Sequence, residues 1–229
     1  MRFAVAREHR DFFNKQGTVE FEGLLNAKQL VELVAAVDST LALRLNIQAS
    51  ELSLQSSNAL FMAGRDLWRA NNAVKKIVMQ RQFAELAIEL IHKKTLRLGY
   101  DQFFPDGAVA VLPGDSQNLL EISCLQGVQC GLMLCLRGAL TPVEPVEPVE
   151  EDCTPSPLFS RQAGSGVFFN PEAPLNFQRS VGQYLMIVYT STSSVYLCKR
   201  TDPHANALKQ YGYAFGDKLN DKCNPIVYR

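Results

Sequence analysis

The feature that most constrains this chain is a change of hydrophobic period near Thr95. Before it, apolar residues recur at three- and four-residue spacing. Leu30, Leu33, Val34, Val37 and Leu41 follow Asn26, a residue suited to cap a helix, and Phe83, Leu86, Ala87, Leu90 and Ile91 follow "WRANNAVKKIVMQRQ". After it come short runs divided by turn residues: "TLRLGYDQFF", "AVAVL", "LLEISCL", "VQCGLMLCLRG", "GVFFN", "GQYLMIVYTS" and "SVYLCKR". A short strand, "GTVEFEGLL", stands between the opening helix and the first capped one. Helices first and strands afterwards predict an α+β protein with a mostly antiparallel sheet system. At 229 residues and 47% hydrophobic content, the expectation is one domain, with residues 1–94 as a helical layer and 95–229 as the strand-rich core.

Lys plus Arg equals Asp plus Glu at 23 each, so no net field gathers nucleic acid or an anionic membrane. No basic helix interleaved with aromatics appears, which argues against a nucleic-acid partner. No stretch approaches the roughly 18 apolar residues of a membrane helix, and the opening "MRFAVAREHRDFF" has no export-type apolar block. The chain reads as soluble and cytoplasmic, with six cysteines expected as reduced thiols. The segment Thr141 to Pro157 carries three Pro-Val-Glu units, and proline at that density predicts an extended surface insertion.

Three of the cysteines crowd into "EISCLQGVQCGLMLCLRG". Zinc sites place ligands in close pairs, whereas Cys124, Cys130 and Cys135 are six and five residues apart. In a strand, Cys130 and Cys135 point to opposite faces, so they are expected as buried apolar side chains and not as metal ligands. His204, after Asp202 and Pro203, reads as the start of a short C-terminal helix.

"HRDFFNKQGTVEFEGLLNAKQLVELVAAV" and "LRLGYDQFF" resemble the opening and the first long strand of the phytanoyl-CoA dioxygenase-like proteins. These are part of the non-haem Fe(II)/2-oxoglutarate-dependent oxygenases. The resemblance implies a double-stranded β-helix (jelly roll, cupin-like) with an N-terminal helical layer. It also implies two histidines and a carboxylate around iron. The first two ligands come as His-x-Asp near the start of a core strand, and the expectation is that this chain offers no His-x-Asp or His-x-Glu at all. On the family's pattern, Cys124 and Gln126 stand in their place. The segment matching the distal histidine, "GVFFNPEAPLNFQRSVGQYLMIVY", offers Asn170 and Asn176, and Arg179 as a remnant of the arginine that grips 2-oxoglutarate.

The expectation is therefore a divergent scaffold without the iron triad. It would bind a small molecule or a protein partner near Cys124, Gln126, Asn170 and Arg179, with no metal or cofactor. Two rivals stand beside it: an atypical metal-dependent oxygenase using Cys124 and His204, in which case Fe(II) and 2-oxoglutarate enter, and a divalent-metal-responsive regulator.

Overall fold

The structure, a computed structural model, describes residues 4–106, 117–138, 159–175 and 182–229. The helical part comprises α1 (Arg7–Gln16), α2 (Ala27–Leu45), a 3-10 helix at Ala49–Leu54, α3 (Ser57–Ala63), α4 (Leu67–Ala70), α5 (Asn72–Val78) and α6 (Arg81–Ile91), with strand β1 (Thr18–Phe21) after α1. Asn26 caps α2 as its sequence predicts, accepting from Gln29 N at 2.9 Å while Gln29 reaches back to Asn26 N. Leu33, Val37 and Leu41 are buried along the resulting face.

The sheet is built from β2 (Leu96–Phe104), β3 (Leu125–Arg137), β4 (Gly166–Phe169), β5 (Gln183–Tyr196) and β6 (Ile226–Tyr228), together with β1. Its order is β1-β4-β3-β5-β2-β6, and every pairing is antiparallel. The mixed helix and antiparallel sheet expected from the change of period is thus present.

Side-chain alternation splits the core into two layers. Leu132, Leu134, Leu185, Ile187 and Tyr189 pack with the helices. Met133, Cys135, Tyr184, Met186 and Val188 face the other side, where Leu208, Tyr213 and Leu219 cover them. Cys130 lies in the first layer and Cys135 in the second, on opposite faces as their spacing requires.

Irregularities in the pairing reverse this alternation. Register shifts between Leu98 and Tyr100 and between Val128 and Cys130 move the following residues to the other face. Leu96 and Leu98 therefore face the helices, whereas Tyr100 faces away from them. The carbonyls released at the first shift do not go unpaired. The fully buried Asn224 donates its Nδ2 to Leu98 O at 3.2 Å and to Gly99 O at 2.6 Å.

Three expectations need correction. "LLEISCL" is not a strand: Leu119–Ile122 is a helical turn, α7, capped by Asn118, which accepts from Glu121 N at 3.0 Å. "SVYLCKR" is not separate, because β5 runs unbroken to Tyr196. The helix expected after His204 is a turn followed by a 3-10 helix at Ala207–Tyr211, which Gly212 ends in the left-handed region at φ 85°. The "AVAVL" run and the insertion from Thr141 to Pro157 lie outside the described residues.

Candidate functional site

A buried charged cluster forms where three elements meet. Residues 64–66, between α3 and α4, run beside β2: Phe103 N donates to Gly64 O at 2.9 Å, and Asp66 N to Asp101 O at 2.9 Å. Arg44, from the end of α2, clamps this segment by donating to the carbonyls of Ala63, Arg65 and Asp66. Arg65 is thereby held with its guanidinium carbon 3.6 Å from the centroid of the Tyr100 ring. The irregularity in β2 turned that ring to this face.

After β5, the chain turns back and buries Asp202 against the cluster. Its carboxylate accepts from Arg65 at 2.8 and 2.9 Å, from Cys124 N at 2.8 Å and from His204 N at 2.8 Å. Burial opposes the charge on Asp202, but Arg65 and the two backbone donors outweigh it and hold the carboxyl below its ordinary value. Burial likewise opposes the charge on Arg65, and Asp202 more than offsets it, so the guanidinium is bound to its proton more tightly than usual. Tyr100 is pushed up to about 12, first by burial.

His204 is 9% exposed, and burial, followed by the nearby Arg65, lowers it to about 3. Its ring is neutral near pH 7. It packs 5.5 Å from the Phe61 ring, and its Nε2 has no hydrogen-bond partner among the described residues. Beside the Arg65–Asp202 pair, an open cleft of about 380 Å³ runs between the α3–α4 junction and residues 203–211, lined by Arg44, Arg65, Asp66, His204, Asn206 and Gln210 among others.

The residues singled out from sequence are dispersed around this centre. Cys124 belongs to it through its backbone, and burial, then Asp202, raises its thiol well above the ordinary value. Gln126 is exposed on β3, opposite Val195 of β5. Asn170, just past β4, is half-buried against the α1–β1 junction: its N donates to Gly17 O at 2.8 Å, and its Oδ1 accepts from Glu172 N at 3.1 Å. α7 lies between these neighbourhoods, with Leu120 N donating to Pro171 O at 3.4 Å. Asn176 and Arg179 lie outside the described residues.

The chain does contain one His-x-Asp triplet, His9-Arg10-Asp11, which the sequence reading passed over. It sits in α1, where His9 Nδ1 accepts from Ala6 N at 3.2 Å and Asp11 pairs with Arg7 at 3.6 Å. Among the described residues, no three His, Cys, Asp or Glu side chains are placed to hold a metal ion.

Sequence reasoning missed Arg65, Tyr100 and Arg44 altogether and gave Asp202 a local role, as a helix cap and an acidic neighbour of His204. Arg65 and Asp202 are 137 positions apart, and no local pattern links them. No described helix is long and apolar enough to cross a membrane.

No protein-family model matches the chain, and no curated relative was found. Solved structures do match. The non-haem α-ketoglutarate-dependent carbocyclase SnoK from nogalamycin biosynthesis has a TM-score of 0.67 at 16% identity, covering 97% of this chain and 96% of its own. The epimerase SnoN, solved with Fe3+, α-ketoglutarate and nogalamycin RO, has a TM-score of 0.63 at 16% identity, covering 96% and 97%. CT296 from Chlamydia trachomatis has a TM-score of 0.50 at 22% identity, covering 83% and 99%. In fold, the chain stands with the non-haem Fe(II)/2-oxoglutarate-dependent enzymes.

Proposed function

We propose that this chain is a single domain that uses the scaffold of the 2-oxoglutarate enzymes for binding and not for iron-dependent oxygenation. In this reading the described sheet is one wall of a double-stranded β-helix, and the isolated bridge between Gln117 and Leu175 belongs to the other. The observation that carries the functional reading is the complete use of Asp202. Its carboxylate, the one that both Cys124 and His204 meet, is already taken up by Arg65 and two backbone donors.

The remaining donors suit Fe(II) poorly. Burial keeps the Cys124 thiol protonated, Gln126 is a neutral amide, and the Asn170 side-chain Oδ1 accepts from Glu172 N. The β5 side chains facing away from the helices, Tyr184, Met186 and Val188, offer no cation for a dicarboxylate. Arg65, a buried cation on that side, is neutralised by Asp202.

Anaerobic calorimetric titration of the purified protein with Fe(II), with and without 2-oxoglutarate, tests this. The expected result is no stoichiometric uptake of either; stoichiometric iron binding strengthened by 2-oxoglutarate would overturn the reading.

The atypical-oxygenase reading keeps one point in its favour, the meeting of Cys124 and His204 at a single carboxylate. It requires Cys124→Ser and His204→Gln each to abolish metal uptake. A metal-responsive regulator requires a metal-dependent, salt-sensitive mobility shift with DNA.

A further inference from the structure

The binding reading leaves the ligand unnamed, and the charges around the cleft between the α3–α4 junction and residues 203–211 narrow its chemistry. Two of the carboxylates there have arginines of their own. Asp202 pairs with Arg65 at 2.8 Å, and Asp66 pairs with Arg69 at 3.3 Å while accepting from Trp68 Nε1 at 3.3 Å. The third, the fully buried Asp101, is raised to about 7, first by burial and then by Asp66, so near pH 6 it is mostly uncharged. Arg44 lines the cleft and pairs with no carboxylate among the described residues, since its partners are the neutral carbonyls of Ala63, Arg65 and Asp66. Of Arg44, Arg65 and Arg69, it is the one without a counter-charge.

Arg44 is also exposed and already fixed in place. A guanidinium has five N–H donors. Nη1 gives two to the carbonyls of Ala63 and Arg65 and Nη2 gives one to that of Asp66, which leaves the Nε hydrogen and one on Nη2. An anion taking these two donors finds the head group ordered beforehand and loses little further side-chain entropy.

More donors line the cleft from the 203–211 side. Asn206 and Gln210 are exposed there, and no hydrogen bond of their side-chain amides to another described residue is seen. A carboxylate has two oxygens, which the two Arg44 donors would take up. A phosphate has three and can meet both walls. At about 380 Å³ the cleft falls at the small end of the range for small-molecule sites.

We propose that this cleft binds the phosphate group of a small molecule, with the two spare Arg44 donors on one side and the amides of Asn206 and Gln210 on the other. The proposal rests on the binding reading above. Free phosphate and a phosphomonoester share this chemistry, and separate probes tell them apart.

The test follows the Nε–H signal of Arg44, assigned by triple-resonance spectra, in full-length ¹⁵N-labelled protein near pH 6. Inorganic phosphate and glycerol 3-phosphate are the probes. Acetate, 2-oxoglutarate and sodium chloride at matched ionic strength are the comparators. The expected result is a saturable shift with at least one phosphate, tighter than with either carboxylate. Gln210→Glu places a carboxylate in the cleft and leaves the Arg44 clamp intact, so it should weaken binding about tenfold with the melting temperature unchanged. The proposal is overturned by no saturable shift with either phosphate, by a shift that chloride reproduces, by equal or tighter binding of acetate or 2-oxoglutarate, or by undiminished binding in Gln210→Glu. Calorimetric iron uptake strengthened by 2-oxoglutarate would sink the non-oxygenase reading instead and leave a positive phosphate result standing.

Discussion

Asp202 and Arg65 meet through a single guanidinium nitrogen, with both carboxylate oxygens of Asp202 within 2.9 Å of Arg65 Nη2 and both side chains almost entirely removed from solvent. The pair joins the α3–α4 junction to the chain leaving β5, and it orders Cys124 and His204 through their backbones. Burying two charges costs hydration, so the pair matters mainly for what its loss leaves behind.

Asp202→Ala should destabilise the protein by about 3–5 kcal/mol, because Arg65 is then buried without its counter-charge. The double variant Arg65→Met/Asp202→Ala should lose far less than the sum of the two single changes Arg65→Met and Asp202→Ala. Urea denaturation of the four proteins in the cycle checks both statements, and additive losses would show that the two residues act independently.

Two buried groups should pull the stability in opposite directions as pH rises, and largely offset each other between pH 3.8 and 6.5. His204 is lowered from 6.5 to about 3, so the folded state resists its protonation. The stability it contributes is present above pH 6.5 and is lost as pH falls toward 3. Asp101 has the opposite sign. Burial, then the nearby Asp66, raises it from 3.8 to about 7, so its contribution is full below pH 3.8 and is lost as pH rises through 7. Asp101→Asn should remove the decline between pH 3.8 and 7 and so expose the His204-dependent rise in stability up to pH 6.5, as read by chemical denaturation from pH 4 to 9. Asp101 also accepts from Leu67 N at 3.0 Å and Trp68 N at 3.2 Å, and the asparagine amide can keep only one of its two acceptor positions. A uniform loss of about 1 kcal/mol at all pH values is therefore expected alongside the change of shape.

The cysteines should separate by accessibility when the native protein meets a thiol reagent. Cys198 is exposed, whereas Cys124, Cys130 and Cys135 are buried and burial raises the thiols of all three. Cys198 should react within the mixing time of a colorimetric assay, and those three only on unfolding. Peptide mapping after brief alkylation identifies the labelled site, and early labelling of Cys124 would contradict the burial described here.

Gly131→Ala should be costly despite its small size. A Cβ at Gly131 would stand 2.2 Å from Cζ of the Phe169 ring, which lies across the glycine where β3 and β4 pair. A loss of about 1–3 kcal/mol is expected, partly recovered by Phe169→Leu. A shift in melting temperature for the single and double variants measures it.

Much of the fold can be read along the chain because local patterns dictate it. Asn26 and Gln29 announce α2, the alternation in "QYLMIVY" predicts the two-faced β5, and the odd spacing of Cys130 and Cys135 already separates them. "LLEISCL" misled because a short apolar run does not distinguish strand from helix. The signal that settles it is the capping pair Asn118 and Glu121 immediately upstream of and within the turn. The candidate site was far less legible. Its centre depends on a charge pair from distant parts of the chain and on a register shift that no periodicity reveals. A search of the whole chain for His-x-Asp would have found His9-Arg10-Asp11, but the helix around it accounts for both side chains.

The irregularity at Gly99 has a consequence for how this protein can vary. Restoring even pairing there would carry Tyr100 back toward the helices and take the aromatic floor from under Arg65. The half of β2 beyond it would have to exchange its inner and outer side chains together. Asn224, seated on the two carbonyls freed at that point, makes the C-terminal segment the keeper of the strand's phase. A change near the end of the chain can thus reach the charged centre without touching any residue in it, by letting one strand slip back into step.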